Sequence, residues 1–318
     1  MSEPLRRESP VTDALSDLGP ATRAVVDAVL AVWPKHRGFL LKSFRGRDER
    51  LQAVAEQVAS LVARLAGGTL DAHVAGYRWM CEMVLEEEIH FRRSGRYRHA
   101  SFAAVAELVY GNTGDMGAYM RGLLLSQVLW SNHASSMAFY LRDFLAGLPA
   151  GYRHLEIGPG HGLLLHFAAS DPKCRAATAW DVSETSLSHT RESLRLLGSD
   201  RAVTIERRSV LDDLGAADSF DSVVISEVCE HLEQPPAALR GLREIISPNG
   251  RMYVNVPINS PAVDHIYLLE TPEAAVAMVE SAGFRVERTL FAPSAGYTEE
   301  RARTSGTAMS IVMIARPA

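Results

Sequence analysis

The chain is 318 residues long, 47% hydrophobic and carries a formal net charge of -5 at pH 7, which is enough apolar material for a sizeable core and enough length for two ordinary domains. It has no dense Lys/Arg block beyond pairs such as Arg92-Arg93 and Arg207-Arg208, so it lacks the basic face with which a generic nucleic-acid binder neutralises phosphates. Its three cysteines, Cys81, Cys174 and Cys229, are widely spaced with no Cys-x-x-Cys pair; they suggest neither a disulfide framework nor a thiolate zinc site and suit a reducing cytoplasm. Residues 1–10 are polar and charged rather than a basic head followed by an apolar run, so no export signal is expected. No stretch approaches the ~20 apolar residues that span a bilayer, and no membrane association is expected.

From about Pro20 to Leu148 apolar residues recur at helical spacing, which predicts an all-helical first domain over residues 1–147. One helix runs from Pro20 to about Trp33 and another from about Asp48 to Ala66, closed by Gly67-Gly68. A third starts at Thr69, whose side chain can cap free backbone N–H groups, and continues toward Arg93 before Ser94-Gly95. Ser101 opens a short helix that stops at Gly111-Asn112, and an apolar segment from about Asp115 to Ala146, as one helix or two, closes at Gly147 and Pro149. Within the third helix, Glu87-x-x-His90 has the spacing of a di-iron ligand pair; that chemistry needs a second copy, which the chain lacks, and the pair reads as a solvated face.

After Pro149 the pattern becomes short apolar runs ending in Gly-, Asp- or Ser-bearing loops, with helical stretches between them, as in a parallel α/β sheet. Strands are predicted at residues 154–157, 176–180, 203–207, 222–225 and 251–256. Two terminal β-like runs, 284–291 and 307–315, are joined by a polar loop at 293–306 and would place an antiparallel strand in the sheet.

Leu155-Glu156-Ile157-Gly158-Pro159-Gly160-His161-Gly162 is a strand followed by a glycine-rich turn, and glycines there let the backbone approach a ligand closely. Asp181 ends the next strand about twenty residues later, where a carboxylate can accept hydrogen bonds from both ribose hydroxyls. Together they indicate a nucleoside-bearing cofactor. A nicotinamide-binding Rossmann domain uses the same two devices.

These residues resemble the class I S-adenosylmethionine-dependent methyltransferases, whose first motif has the form acidic–apolar–Gly–x–Gly–x–Gly, matched by Glu156 to Gly162. The resemblance continues through Phe220-Asp221-Ser222-Val223-Val224-Ile225-Ser226-Glu227-Val228-Cys229-Glu230-His231-Leu232, the Pro248-Asn249-Gly250 turn and Ala282-Gly283-Phe284, covering about Leu148 to Ala318. It implies an α/β fold, with a Rossmann-like seven-stranded sheet over residues 148–318 behind the helical domain. It also implies that Glu156, Gly158, Pro159 and Gly160 face the amino-acid end of S-adenosyl-L-methionine, that Asp181 holds the ribose and that Val182 lies against the adenine. Ser209, Val210 and Leu211 take the adenine edge, where many relatives carry an acid in place of Ser209, and Asp212 is the substitute; Ser226 completes the cofactor set.

Glu227, Glu230 and His231 stand at relative positions 1, 4 and 5 where the fourth strand ends, and a helical turn there brings them together. Carboxylates with an imidazole suit a divalent ion such as Mg²⁺, Mn²⁺ or Fe²⁺, and His265, after the fifth strand, can add a ligand. The Glu-x-x-Glu-His string resembles that of ubiquinone-pathway O-methyltransferases and small-RNA 2′-O-methyltransferases, in which those residues bind a cation that positions the accepting hydroxyl. In a metal-free version His231 or His265 takes the acceptor's proton, and Cys229 is a small packed residue rather than a nucleophile.

The reading that follows is a methyltransferase of specialised metabolism acting on a small-molecule acceptor, by O-methylation before C- or N-methylation, as a cytoplasmic homodimer without nucleic-acid or membrane partners. The helical domain would serve as substrate lid and dimer contact, with Tyr77, Trp79, Tyr110, Trp130, Asn132, His133 and Tyr140, and above all the stretch from Ser126 to His133, as candidate lining. The rivals are an RNA 2′-O-methyltransferase and a non-catalytic cofactor-binding protein.

Overall fold

Residues 13–105, 113–200, 203–212 and 219–318 are described by a computed structural model. Among them, seven strands form one sheet: β1 (Tyr152–Ile157), β2 (Cys174–Asp181), β3 (Val203–Arg207), β4 (Phe220–Ser226), β5 (Ile246–Ile258), β6 (Phe284–Pro293) and β7 (Met309–Pro317). Their order is β3-β2-β1-β4-β5-β7-β6, parallel from β3 through β5, with β7 antiparallel to both of its neighbours. The expected antiparallel terminal strand is therefore present. Strand order reverses between β1 and β4, so a crevice opens beyond the carboxyl ends of those two strands, which is where open α/β sheets bind ligands.

Period-two alternation divides each central strand between two cores. Val223 and Ile225 of β4, and Met252 and Val254 of β5, join one core, which α10 (Pro235–Ile245) and α11 (Pro272–Ser281) cover with Leu239, Leu242 and Val279. Val224 and Tyr253 point the other way, into a core shared with α7 (Ser131–Phe139), α8 (Leu163–Ser170) and the helices of the first half. Because both faces are covered, these strands read as continuous apolar runs in the sequence. The change of architecture near residue 148 lies inside that shared core, where Val62, Leu125, Phe144, Tyr152 and Val312 pack in one cluster.

The first half is helical as expected, with α1 (Pro20–Val32), α3 (Glu49–Ala66) and α4 (Leu70–Ser94) close to their predicted spans. The N-terminus of α1 is capped from outside: Glu56 on α3 accepts from the Ala21 and Thr22 amides at 2.7 and 2.9 Å. An additional element, a 3₁₀ turn at Pro34–His36 continuing into α2 (Arg37–Phe44), occupies a stretch where no helix was expected. Thr69 does not cap α4; its hydroxyl donates to the Ala66 carbonyl at 2.6 Å, closing the preceding helix instead. Glu87 is not on a solvated face either, being 6% exposed and bonded through both carboxylate oxygens to Arg98 at 2.9 and 3.1 Å.

After Ser101 comes α5 (Phe102–Val105), and its expected stop at Gly111-Asn112 lies outside the described residues. The long apolar segment forms two helices, α6 (Thr113–Leu129) and α7, broken where Trp130 takes an extended conformation, and α7 runs into a π turn at Tyr140–Phe144. The stretch expected as a polar loop between β6 and β7 contains α12 (Glu299–Ser305), N-capped by Thr298. Only Ala302 of that helix is buried, so no apolar stripe announced it. Among the described residues no helix is long and apolar enough to cross a membrane.

Candidate active site

The glycine-rich turn after β1 is built from left-handed backbone, with φ of 63° at Gly158, 51° at Gly160 and 76° at Gly162. Side chains rarely adopt such dihedrals, and a Cβ on Gly158 would lie 2.7 Å from Val228 Cγ2. Asp181 ends β2 beside this turn. Its Oδ1 accepts from the Ser183 amide at 2.8 Å and its Oδ2 from the Ser186 hydroxyl at 2.7 Å, which orients the carboxylate while leaving each oxygen a further lone pair. Burial pushes its pKa up, against the pull of those hydrogen bonds.

A cavity of about 540 Å³ lies between them, lined by Gly158, Gly160, Asp181 and Val182 on the sheet side and by Phe102 and Met120 from the helices. Ser209, Val210 and Leu211 do not line it. The Ser209 hydroxyl accepts from the Leu211 amide in a local turn, Val210 is buried in the core and Leu211 is 52% exposed. Arg207 is among the cavity's described lining residues.

A second compartment of about 150 Å³ adjoins the first, with Gly158, Gly160, Glu227 and His231 lining both. Glu156, Pro159, Ser226, Glu230 and His265 complete its sheet side, while Gln127 of α6 and His133 and Ser136 of α7 close it from the helices. At the exit of β4 the chain turns sharply: Glu227 has φ 54°, a strained conformation for a side-chain-bearing residue, with its amide held by the Asn255 carbonyl at 2.9 Å. A 3₁₀ turn at Cys229–His231 follows.

That turn brings Glu230, His231 and His265 together, with one potential ligand atom of each within 4.8 Å of the others. His231 Nδ1 lies 3.0 Å from the Asp264 carbonyl and His265 Nδ1 2.6 Å from the Ser260 carbonyl. A carbonyl only accepts, so each Nδ1 carries a hydrogen, and in the neutral ring Nε2 keeps its lone pair. The two Nε2 atoms lie 3.7 and 4.0 Å from Glu230 Oε1. Among the described residues, both Glu230 oxygens are buried without a hydrogen bond, as are Glu227 Oε1 and Glu156 Oε2.

Burial and the neighbouring Glu227 hold the Glu230 carboxyl well above its usual range, and burial pushes Glu227 up to about 7 against a hydrogen bond from Asn255. Burial lowers His265 to about 4. Imidazoles oriented by backbone carbonyls around an unsatisfied carboxylate are the second-shell pattern of a metal site. Two imidazoles with a carboxylate fit Mn²⁺ or Fe²⁺ better than Mg²⁺, which prefers oxygen ligands. Glu227 lines the same cavity but is not one of the clustered three.

Of the expected helical lining, His133 reaches the compartment, whereas Trp79, Tyr77, Trp130, Asn132 and Tyr140 are structural. The Trp130 indole donates to the Tyr77 hydroxyl at 3.0 Å, Asn132 donates to Ser310 at 3.1 Å and the Tyr140 hydroxyl donates to the Leu164 carbonyl at 3.0 Å. Tyr110 lies outside the described residues. Sequence reasoning missed His161, Ser136, Tyr253 and Asn255 as lining residues. Of these only His161, a histidine inside a glycine turn, carried a local signal.

Residues 155–252 match the family model of a methyltransferase domain. The chain is similar to the ubiquinone biosynthesis O-methyltransferase of Cereibacter sphaeroides, 36% identical over 123 residues, 38% of this chain and 47% of that protein. It is also similar to the enzyme of that name from Xanthomonas axonopodis pv. citri, 34% identical over 119 residues, 36% of this chain and 46% of that protein. The chain thus spans about half the length of the curated relatives it matches. Among solved structures, an S-adenosylmethionine-dependent methyltransferase from Thiobacillus denitrificans in complex with S-adenosyl-L-homocysteine aligns with 58% of this chain and 90% of that one, at 13% identity and a TM-score of 0.42.

Proposed function

We propose that this chain, whose residues 155–252 match the family model of a methyltransferase domain, is a class I S-adenosylmethionine-dependent methyltransferase that methylates a hydroxyl of a small-molecule acceptor with the help of a divalent cation. The cofactor supplies an electrophilic methyl group when bound. Glu156, Gly158, Pro159 and Gly160 would hold its amino-acid end, Asp181 its ribose and Val182 its adenine, all on the lining of two adjoining compartments that share Gly158 and Gly160. A cation supplies a positive charge that lowers the pKa of a hydroxyl and fixes its position. Glu230, His231 and His265 would hold it, with Glu227 beside them.

The observation that carries the reading is the pair of unsatisfied Glu230 oxygens facing two oriented Nε2 lone pairs at the edge of the glycine-lined cleft. A buried carboxylate without a partner costs stability, and a cation turns that cost into binding. The small compartment of about 150 Å³ bordered by Gln127 of α6 and by His133 and Ser136 of α7 supports a small acceptor. The names of the curated relatives support oxygen as the receiving atom. The same reading carries forward a cytoplasmic location and a homodimer, the second of which sedimentation of the purified protein tests.

Calorimetry with S-adenosyl-L-homocysteine, together with metal analysis of the purified protein and of Glu230→Ala and His265→Ala, tests the two halves separately. We expect the homocysteine compound to bind all three proteins and the metal to be lost from both variants. Equal metal content in all three removes the cation site, and absence of binding to the unaltered protein removes the cofactor assignment.

A further inference from the structure

His154 precedes Glu156 by two residues on β1 and therefore shares its face of the sheet. It is 0% exposed, like Ser222 beside it on β4, and its Nδ1 lies 2.9 Å from the Ser222 hydroxyl oxygen. Its Nε2 lies 3.9 Å from Glu156 Oε2, and both of those atoms are buried without a hydrogen bond. An apolar residue at position 154 would avoid burying an imidazole on a central strand. Instead a polar row, Ser222–His154–Glu156, runs from the interior of the sheet to the cavity wall, and it ends on two unsatisfied atoms a small side-chain rotation short of a hydrogen bond.

We infer that His154 is a positioning residue for the cofactor's amino group: Ser222 Oγ–H donates to His154 Nδ1, His154 Nε2–H donates to Glu156 Oε2, and the row holds Glu156 as a carboxylate against the bound ammonium. The inference rests on the reading of Glu156 as a cofactor-binding residue. Without ligand, burial favours the neutral form of both, pushing Glu156 well above the usual carboxylate range and lowering His154 to about 3. The titratable groups packed around them are Tyr152 on β1, Tyr140 after α7 and Tyr253 on β5, all pushed up by burial, with Cys174 of β2 acting on Tyr140 and Tyr152 and Glu227 acting on Tyr253. Glu156 shares its compartment with His133 and His161, which burial lowers to about 3 and about 4, and with Glu227, Glu230, His231 and His265. The ammonium and the His154 N–H stabilise the Glu156 charge, and where the carboxyl is protonated before binding its proton leaves to solvent. Binding therefore strengthens as pH rises toward the ligand-free pKa of Glu156, and the donor row extends tight binding to lower pH.

The test is calorimetric titration of S-adenosyl-L-homocysteine between about pH 5.5 and about pH 8.5 into the unaltered protein, His154→Leu, His154→Gln and Ser222→Ala, with thermal melting of each. We expect His154→Leu to weaken binding roughly ten- to hundred-fold at neutral pH, as removal of a hydrogen bond to a charged group does, with affinity recovering as pH rises. His154→Gln, whose amide can donate to Glu156, should restore both affinity and profile, and Ser222→Ala should shift the profile in the same direction by less. Binding by His154→Leu that is unchanged in strength and profile overturns the inference alone; so does equal, pH-independent weakening in the Leu and Gln variants, the signature of packing. Failure of the unaltered protein to bind at any pH overturns the cofactor reading and the inference with it. If His154→Leu does not fold, Ser222→Ala decides, and a profile identical to that of the unaltered protein overturns the inference.

Discussion

At the β1–β2 end of the cleft the ligand-facing surface is shaped by backbone, three glycines with positive φ and one carboxylate oriented by its neighbours' amide and hydroxyl. At the β4–β5 end it is made of side chains, Glu227, Glu230, His231 and His265, two of which leave buried oxygens without partners. The first end is oriented before any ligand arrives, except at Glu156, whose Oε2 has no hydrogen bond among the described residues; the second keeps three such oxygens, on Glu227 and Glu230, for something that binds there. Preorganised backbone suits a cofactor that every turnover requires in one pose, and unsatisfied side chains suit the place where charge has to be introduced and moved.

The largest expected effect breaks the backbone end. Gly158→Ala places a side chain at φ 63° and a Cβ 2.7 Å from Val228 Cγ2. The left-handed dihedral alone costs about 1–2 kcal/mol, and relieving the contact moves either the turn or Val228, which follows Glu227 at the exit of β4. Binding of S-adenosyl-L-homocysteine should weaken by more than about tenfold, read by calorimetry. Affinity within about twofold of the unaltered protein would show that the turn is not a rigid cradle.

This contrast also decides what was legible in the sequence. Gly158, Gly160 and Asp181 sit at fixed local spacing on consecutive strands, so the pattern of glycines and acid, with the run of alternating strands, exposed both the cofactor end and the sheet. Glu230 and His231 were legible because they are adjacent. His265 came from the general rule that strand ends meet on one sheet edge, and its carbonyl partner at Ser260 was not foreseeable. At Ser209 to Leu211 a local turn in which the Ser209 hydroxyl accepts from the Leu211 amide sets the conformation, which strand spacing did not announce. Tyr77, Trp79, Trp130 and Tyr140 pack in the core rather than line the cavity for a different reason: apolar periodicity marks which residues are buried but not whether they face a core or a cavity.

A smaller effect sharpens the side-chain end through pH. Burial raises Glu227 from 4.5 to about 7, so between those values the folded, ligand-free protein binds a proton that the unfolded chain does not. Its contribution to stability is complete below the lower value and is lost as pH rises through the higher one. The melting temperature of the ligand-free, metal-free protein should therefore fall over that window, and Glu227→Gln, which carries no titrating proton, should flatten the fall. A slope unchanged in the variant would place the charge burden on other groups.

The smallest effect lies outside the cleft and serves as its control. Glu56 accepts from the Ala21 and Thr22 amides and from the Thr22 hydroxyl, at 2.7 to 2.9 Å, at the positive end of α1, and these bonds hold its carboxyl below the usual range even against desolvation. Glu56→Ala should cost about 1–2 kcal/mol, the range of a lost N-terminal cap, read as a lower melting temperature or denaturant midpoint. Because this pKa is depressed, the stabilisation from Glu56 is present above the unfolded value and lost as pH falls through the folded one, opposite in sign to Glu227. Ligand and metal affinities should not change. A variant that melts earlier and also binds more weakly would show that the helical half transmits strain to the cleft through the core it shares with the sheet, and the two ends of the site would then no longer be separable from the scaffold around them.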